Sequence, residues 1–398
     1  MKTYFLNKFL GGKEMRWYEC VGLLTYTMTK IIPKKKNRWV FGAWFGASVS
    51  DNTKAISDYI EKNHPEIEMI WITNEPDKLM LSHGRAFKRN SLQSLPYIIT
   101  SEVALMNQGY GDLNAINFLG GCFRVQLWHG VAWKKIFKDA MKTPKTLCEK
   151  IDRKLFDYLN AYDMYISPSR KQSNVMHTAF GIDDSKILLC GQARNAVLFS
   201  EEFRKQAREK LFSKIGTTGK KMIVYMPTFR DNKEDIFSFG ETQYIGKLEY
   251  LENKYNFVLI EKSHFAAQKK ATKAYNSNEI IHYMPTERAE VLLAAADILI
   301  TDYSSCFFDF LITDRPIIHY IYDYDYYIKD DRGVYYNREE VVCGDCPETQ
   351  EELWDAIILN LEKPEKNIEL RARRREEYIT YERPDSCKIV CEEILKRV

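Results

Sequence analysis

The sequence lacks the features of a secreted, membrane-spanning or fibrous protein. Its first 30 residues contain no long uncharged apolar run and no small-residue cleavage site, so neither a secretion signal nor a spanning helix is indicated there. Internal repeats and low-complexity segments are also missing. With 398 residues, 45% hydrophobic and 28% charged, the chain is expected to form about two ordinary globular domains.

Cysteine is present but not in a pattern that predicts disulfides or a metal site. The nine cysteines are odd in number and lack framework spacing, which favours a reducing compartment. Cys343 and Cys346 form a lone CxxC motif without a second pair, and Cys387 and Cys391 have the wrong spacing, so no metal is predicted. A Gly-x-Gly-x-x-Gly fingerprint is absent after the first predicted strand, which disfavours hydride transfer.

A large net charge is lacking too, because 58 Lys and Arg oppose 55 Asp and Glu. The balance of +3 points to neither nucleic acid nor an acidic partner. Basic residues are nevertheless concentrated near the amino terminus, where residues 1–38 contain nine Lys and Arg against two Glu. A second basic cluster, residues 371–375, is predicted to form a solvated helix face.

One helix with an apolar face is predicted within residues 13–32 and should end before Pro33. The apolar face would consist of Trp17, Val21, Leu24, Met28 and Ile31. The run Lys34, Lys35 and Lys36 follows directly. This combination suits the surface of an anionic membrane, with Trp17 and the three lysines as contact residues. Packing of the helix on the protein's own domain is the alternative, and the sequence leaves both open.

From residue 37 onward, short apolar runs alternate with helical patterns. The runs are at 38–42, 67–73, 102–107, 123–128, 164–169, 186–191, 221–226, 256–262, 279–284, 297–302 and 316–321. Continuous apolar strands separated by helices predict an α/β fold with two doubly wound parallel-sheet domains that face a cleft. We expect an amphipathic segment at 1–36, domains at 37–195 and 196–375, and a carboxy-terminal helix at 376–398 that packs back on the first domain.

Polar residues directly after these strands are the candidates for chemistry, because that edge of a parallel sheet binds ligands. Ser304 and Ser305 follow the strand that ends at Thr301 and Asp302, where they either cap a helix or cradle a phosphate. The other candidates at strand ends are Lys262 with His264, His129 with Gly130, Lys134 and Lys135, Thr228 with Arg230, and Arg332. Together these cationic and phosphate-cradling groups favour a nucleotide-diphosphate donor.

Four sequence blocks resemble the CDP-glycerol glycerophosphotransferase family, the teichoic acid polymerases and primases. They are WHGVAWKK (128–135), MPTFRD (226–231), TDYSSCFFDFLITDRPIIHY (301–320) and YDYDYYIKDDRGVYY (322–336). The resemblance runs from about residue 38 to 390 and implies a GT-B-like fold. It also implies peripheral attachment to the cytoplasmic face of the cell membrane through amphipathic helices.

The resemblance further implies roles for individual residues. His129 and His264 are the candidate catalytic residues, with His129 as the general base toward the acceptor hydroxyl. Gly130, Lys134 and Lys135 would lie on the acceptor side. The donor diphosphate and nucleotide would be held by Thr228, Arg230, Lys262, Thr301, Asp302, Ser304, Ser305 and Arg332.

The activity implied is transfer of glycerol phosphate from CDP-glycerol to a hydroxyl of a lipid-linked or polysaccharide acceptor, with release of CMP. This reaction would serve the synthesis of teichoic acid or a related cell-surface polymer. Alternatives are a ribitolphosphotransferase that uses CDP-ribitol, a GT-B enzyme that uses a UDP-sugar, and a non-catalytic membrane adaptor. No cofactor is predicted, and assistance by Mg²⁺ and a homo-oligomeric state stay open.

Overall fold

The computed structural model describes residues 17–141, 143–228, 237–262, 280–324 and 333–398. The strands in these ranges are β1 Lys35–Gly42, β2 Glu68–Thr73, β3 Gly84–Lys88, β4 Ser101–Met106, β5 Phe123–Gln126, β6 Met164–Ser167, β7 Ile187–Leu189, β8 Lys221–Met226, β9 Phe257–Glu261, β10 Ile281–Tyr283, β11 Ile298–Thr301 and β12 Ile317–His319. Each predicted apolar run overlaps one of them.

Helices connect most of these strands. Their bounds are α1 Trp17–Thr29, α2 Asp51–Asn63, α3 Leu95–Thr100, α4 Phe137–Ala140, α5 Leu147–Leu159, α6 Arg170–Phe180, α7 Glu201–Ile215, α8 Thr242–Tyr255, α9 Ala289–Ala295, α10 Cys306–Phe310, α11 Arg338–Val341, α12 Gln350–Glu362, α13 Ile368–Tyr378 and α14 Ser386–Arg397.

The chain divides into two units. Unit 1 comprises residues 1–129, 135–196 and 381–398, and unit 2 comprises residues 130–134 and 197–380. Unit 1 has a seven-stranded sheet in the order β3-β2-β1-β4-β5-β6-β7, and unit 2 has a five-stranded sheet in the order β10-β9-β8-β11-β12. Every strand pair in both sheets is parallel. The predicted fold class, with two parallel α/β sheets, is confirmed.

The alternation of side chains along β8 shows why the sheet of unit 2 is covered on both faces. Met222, Val224 and Met226 belong to one core cluster, which includes residues of α7 and α9. Ile223 and Tyr225 belong to a second cluster with residues of α8 and α12. Because successive side chains point to opposite faces, an uninterrupted apolar run is what a strand between two helical layers requires.

In unit 1, the carboxy-terminal helix α14 packs on α2. Val390, Cys391 and Ile394 of α14 are buried in the core of the unit. The amino-terminal helix α1 packs on α5. Its buried face is formed by small or polar residues and one tyrosine, namely Glu19, Gly22, Tyr26 and Thr29. Three residues of the predicted apolar face, Leu24, Met28 and Ile31, do not pack on the protein's own unit and are 61%, 59% and 86% exposed.

Candidate functional site

His129 lies on a tight turn directly after β5. The turn places Trp128 at φ +53° and Gly130 at φ +135°, backbone conformations that are costly for a bulky residue and open to glycine. Two side-chain amides hold it in place. Asn52 donates to the carbonyls of Leu127 (3.3 Å) and Trp128 (3.0 Å), and the Gln126 side chain accepts from the backbone N–H of Trp128 (3.1 Å).

The imidazole of His129 is half-buried between two indole rings. Its centroid lies 4.2 Å from the ring of Trp128 and 5.3 Å from the ring of Trp44. On a third side, the side-chain amide of Gln108 lies 3.2 Å from Nδ1. The ring is therefore fixed by packing and by a hydrogen bond, while its half-exposed position leaves it open to a ligand.

A buried polar network lies beside the His129 turn. Asn52 Nδ2 also contacts the side-chain oxygen of Gln192 at 2.5 Å, and its own Oδ1 accepts from the backbone N–H of Arg194 at 3.0 Å. The guanidinium of Arg194 forms an ion pair with Asp51 at 2.6 Å, at the first residue of α2. The network joins the first turn of α2 to the His129 turn and to the loop after β7.

Asp112 is a fully buried carboxylate that organises two loops in contact with His129. One oxygen accepts from the backbone N–H of Phe45 (2.8 Å), and the other accepts from Asn107 (2.9 Å) and Gln108 (2.8 Å). Burial raises the pKa of Asp112 to about 6, although these three hydrogen bonds favour the ionised form.

The residues after His129 belong to unit 2. Trp133 is buried there, its Nε1 donates to the carbonyl of Tyr336 at 2.8 Å, and its ring packs on Tyr303 and Phe307. Lys134 pairs with Val334 as a short antiparallel bridge. The predicted acceptor-side set is thus split, because Gly130 and Lys134 lie in unit 2 whereas Lys135 lies in unit 1.

At the carboxyl ends of β8 and β11, Asp302 and Thr228 join the two strand ends. The buried Asp302 carboxylate accepts from the backbone N–H of Thr228 at 2.8 Å and from its hydroxyl at 2.6 Å. Thr301 Oγ1 donates to the carbonyl of Met226 at 2.7 Å. Asp302 and Thr301 were predicted as ligand-binding groups, which stays a prediction; the contacts in the structure hold the ends of β8 and β11 together.

The two serines after this strand end are half-buried, and α10 begins at Cys306 directly after them. The side chain of Ser305 makes no capping hydrogen bond to the helix. The capping explanation for Ser305 is therefore not supported. Lys262, predicted to bind the donor, donates from its ammonium to the carbonyls of Pro285 (2.8 Å) and Glu287 (2.7 Å), and burial lowers its pKa.

Other predicted residues lie outside the described ranges or have a different environment. Arg230, His264, Arg332 and the side chain of Trp17 are outside the described residues. Lys34 was predicted to face lipid, but its ammonium donates to the carbonyls of Thr29 (3.1 Å) and Ile99 (2.6 Å), and burial lowers its pKa. Lys35 pairs with Glu68 at 2.9 Å, and Lys36 is exposed.

The CxxC segment is described in full. Cys343 is buried, and its sulfur lies 3.2 Å from Nε2 of His319. Within the described part of the chain, no group of three or more His, Cys, Asp or Glu side chains is arranged to hold a metal ion.

Sequence reasoning missed Gln108, Asp112 and Asn52. A signal was present for Gln108, since Asn107 and Gln108 are polar residues directly after an apolar strand, as His129 is. Asp112 and Asn52 gave no such signal, because Phe45 and Trp128, the partners that tie them to the surroundings of His129, lie 67 and 76 residues away in the sequence.

Two doubly wound α/β units, with polar side chains at the carboxyl ends of their strands, are typical of enzymes that act on nucleotide-linked substrates. Residues 24–396 match the family described as CDP-Glycerol:Poly(glycerophosphate) glycerophosphotransferase. The chain belongs to this family. The predicted family and enzyme class, a CDP-glycerol glycerophosphotransferase, are confirmed.

Curated relatives agree with this assignment. The teichoic acid poly(glycerol phosphate) polymerase of Bacillus spizizenii is 27% identical over 99% of this chain and 100% of its own length. The teichoic acid poly(glycerol phosphate) polymerase of Staphylococcus epidermidis is 29% identical over 77% of this chain, but the chain spans only 43% of that protein. Among solved structures, the wall teichoic acid polymerase TagF matches with a TM-score of 0.79 at 24% identity, over 100% of this chain and 95% of the other.

Proposed function

We propose that this protein transfers glycerol phosphate from CDP-glycerol to the terminal hydroxyl of a lipid-linked acceptor in teichoic acid synthesis. The observation that carries the proposal is the environment of His129, a half-exposed imidazole fixed at a sheet edge by Trp44, Trp128 and Gln108. A side chain that must accept a proton in a transition state needs this combination of a fixed position and access to substrate.

In the proposed reaction, His129 takes the proton from the acceptor hydroxyl as that oxygen attacks the phosphorus that bears the glycerol. A new phosphorus–oxygen bond forms, the bond between this phosphorus and the CMP oxygen breaks, and CMP leaves with the bonding electron pair. Transfer of this kind depends mainly on alignment and on stabilisation of charge on the phosphate oxygens.

Binding of the donor is assigned to unit 2. The Asp302–Thr228 contact fixes the loops after β8 and β11, and the half-buried Ser304 and Ser305 follow this contact directly in the sequence. We propose His264, Arg230 and Arg332 as the groups that bind the diphosphate, because imidazole and guanidinium groups pair well with phosphate oxygens.

We further propose that the protein binds a membrane surface through α1 and α5. These neighbouring helices and the turn after α1 expose large apolar side chains, namely Leu23, Leu24, Met28, Ile31, Leu147, Ile151 and Tyr158. Tyr26 and Tyr158 join the helices with ring centroids 5.5 Å apart, and Lys30 donates to the Tyr158 hydroxyl at 2.9 Å. In the part of the chain that the structure describes, no helix has both the length and the hydropathy to cross a membrane.

The activity is tested by incubation of the protein with CDP-glycerol, CDP-ribitol or UDP-sugars and a lipid-linked acceptor, with CMP and UDP release measured. We expect CMP from CDP-glycerol only in the presence of acceptor. His129→Ala should abolish transfer and leave the donor Kd nearly unchanged. The matched control is His83→Ala, since His83 is an exposed histidine of the same unit, and it should retain full activity.

Each other outcome would overturn a part of the proposal. Release of UDP without CMP would exclude a CDP-linked donor, and faster turnover of CDP-ribitol would assign a ribitolphosphotransferase. If His129→Ala retained activity, or lost donor binding together with transfer, the histidine would not be the general base.

A further inference from the structure

We infer that Gln108 is the positioning residue of His129 and selects the tautomer of its imidazole, an inference that rests on the proposed role of His129. In the structure the side-chain nitrogen of Gln108 lies 3.2 Å from Nδ1 of His129, and a half-turn of the amide about its last bond would place the side-chain oxygen there. A neutral imidazole carries its proton on one nitrogen, and the partner of Nδ1 decides which nitrogen that is.

The amide can meet Nδ1 in two ways. With its oxygen toward the ring, Gln108 accepts a proton held on Nδ1, and Nε2 is left with a free electron pair to act as the base. With its NH2 group toward the ring, Nδ1 accepts, Nε2 carries the proton, and the base function at Nε2 is lost. General-base catalysis through Nε2 therefore requires the first arrangement, which a half-turn of the Gln108 amide gives from its placement in the structure.

Gln108 can serve this purpose because its backbone does not move freely. Asp112 accepts from the backbone N–H of Gln108 at 2.8 Å and of Asn107 at 2.9 Å, and these two hydrogen bonds fix the main chain at Gln108. The other oxygen of Asp112 holds Phe45, next to Trp44, which packs against the opposite part of the imidazole. One buried carboxylate thus fixes both the hydrogen-bond partner and a stacking partner of His129.

A neutral partner at Nδ1 has a chemical consequence. A carboxylate in this place would stabilise the imidazolium and keep the histidine protonated to higher pH, whereas an amide orients the ring without adding charge. The choice of glutamine suits a base that must start the reaction unprotonated. Asp112 is the titratable group packed on this loop. Its carboxylate accepts from the backbone N–H of Gln108, and none of its contacts given above is with the imidazole of His129.

The test reads His129 directly by nitrogen NMR of the full-length protein labelled with ¹⁵N-histidine. The signals of His129 are assigned among those of the seven histidines as the ones that disappear in the variant His129→Asn. In the native protein we expect His129 to be protonated on Nδ1 at pH 8. Gln108→Leu should give a mixture of tautomers and lower kcat about 10- to 100-fold, with the KM for CDP-glycerol unchanged.

Gln108→Glu provides the second variant, because it keeps an acceptor at Nδ1 and adds a charge. It should restore the single tautomer and raise the pKa of His129 by about 1 unit or more, and the acidic limb of kcat/KM should move by the same amount. The matched control is Gln93→Glu at an exposed position of the same unit, which should change neither measurement.

Unchanged His129 signals in both Gln108 variants would overturn the inference whatever the substrate is. Altered signals in a protein that releases no CMP from CDP-glycerol would retain the positioning role and reject the proposed function. The two failures are thus distinguishable.

Discussion

The carboxylate of Glu261 accepts a hydrogen bond from the hydroxyl of Ser238 at 3.0 Å and lies almost completely buried at the end of β9. Burial raises the pKa of Glu261 from 4.5 to about 7, although the hydrogen bonds from Ser238 and Phe239 favour the ionised form. In the folded protein this side chain therefore binds a proton at pH values where the unfolded chain has lost it.

The shift predicts a pH-dependent contribution to stability. Between about pH 4.5 and 7 the folded state binds more protons at Glu261, so this contribution to the free energy of unfolding falls as the pH rises and becomes constant above about pH 7. Glu261→Gln should remove the dependence and gain up to about 3 kcal/mol over the native protein at pH 8. Urea unfolding at pH 5 and pH 8 measures the difference, with the exposed Glu249→Gln as control. An equal effect of both substitutions would contradict the prediction.

The Asp302–Thr228 contact predicts that two similar substitutions of Thr228 differ in their effects on stability and on donor binding. Thr228→Ser retains both hydrogen bonds to Asp302, whereas Thr228→Val removes the hydroxyl and leaves a buried carboxylate oxygen with one donor fewer. We expect Thr228→Val to lower the free energy of unfolding by about 1–3 kcal/mol and to raise the KM for CDP-glycerol. Thr228→Ser should stay close to the native protein. Unfolding curves and donor titrations provide the measurements, and equal behaviour of the two variants would refute the assignment.

The positions of the strands could be predicted, because buried parallel strands leave continuous apolar runs in the sequence. Their order within each sheet was not predicted. Strand β3 was missed for a physical reason. It is a five-residue strand at the edge of the sheet, and Arg85 and Lys88 interrupt its apolar character.

Charge patterns were a poorer guide than apolar patterns. The basic cluster at 371–375 was predicted to be solvated, but Arg371 is 1% and Arg374 is 7% exposed. Their guanidinium groups donate to the carbonyls of Lys366 (2.7 Å) and Glu339 (2.6 Å). The prediction was wrong because a cation paired with backbone carbonyls has the same sequence signature as one in water. The same limit applied to Lys34 and Lys262, whose carbonyl partners could not be identified without the fold.

The packing of α1 on unit 1 depends on Gly120. A Cβ atom at this position would lie 1.9 Å from the backbone carbonyl oxygen of Tyr26. Gly120→Ala should therefore displace α1 and speed hydrogen–deuterium exchange of the amides of residues 17–29, with a loss of about 1–3 kcal/mol in the free energy of unfolding. Gly246→Ala is the matched control, since a Cβ atom there meets nothing within 4 Å, and it should stabilise helix α8 by up to about 1 kcal/mol. Unaltered exchange in α1 would show that the helix does not need this close approach.

The exposed apolar face of α1 predicts which side chains contribute to membrane binding. The double variant Met28→Ser with Ile31→Ser should bind anionic vesicles at least about 100-fold more weakly, because each large apolar side chain buried in lipid contributes roughly 1.5–3 kcal/mol. Its stability should not change, since Ile31 is 86% exposed. The matched control is Met80→Ser with Leu92→Ser, because these side chains of unit 1 are 93% and 84% exposed but lie outside α1 and α5. Vesicle flotation at low and high salt decides between the surfaces. Equal weakening by both double variants would mean that exposed apolar area in general, and not the face formed by α1 and α5, determines binding.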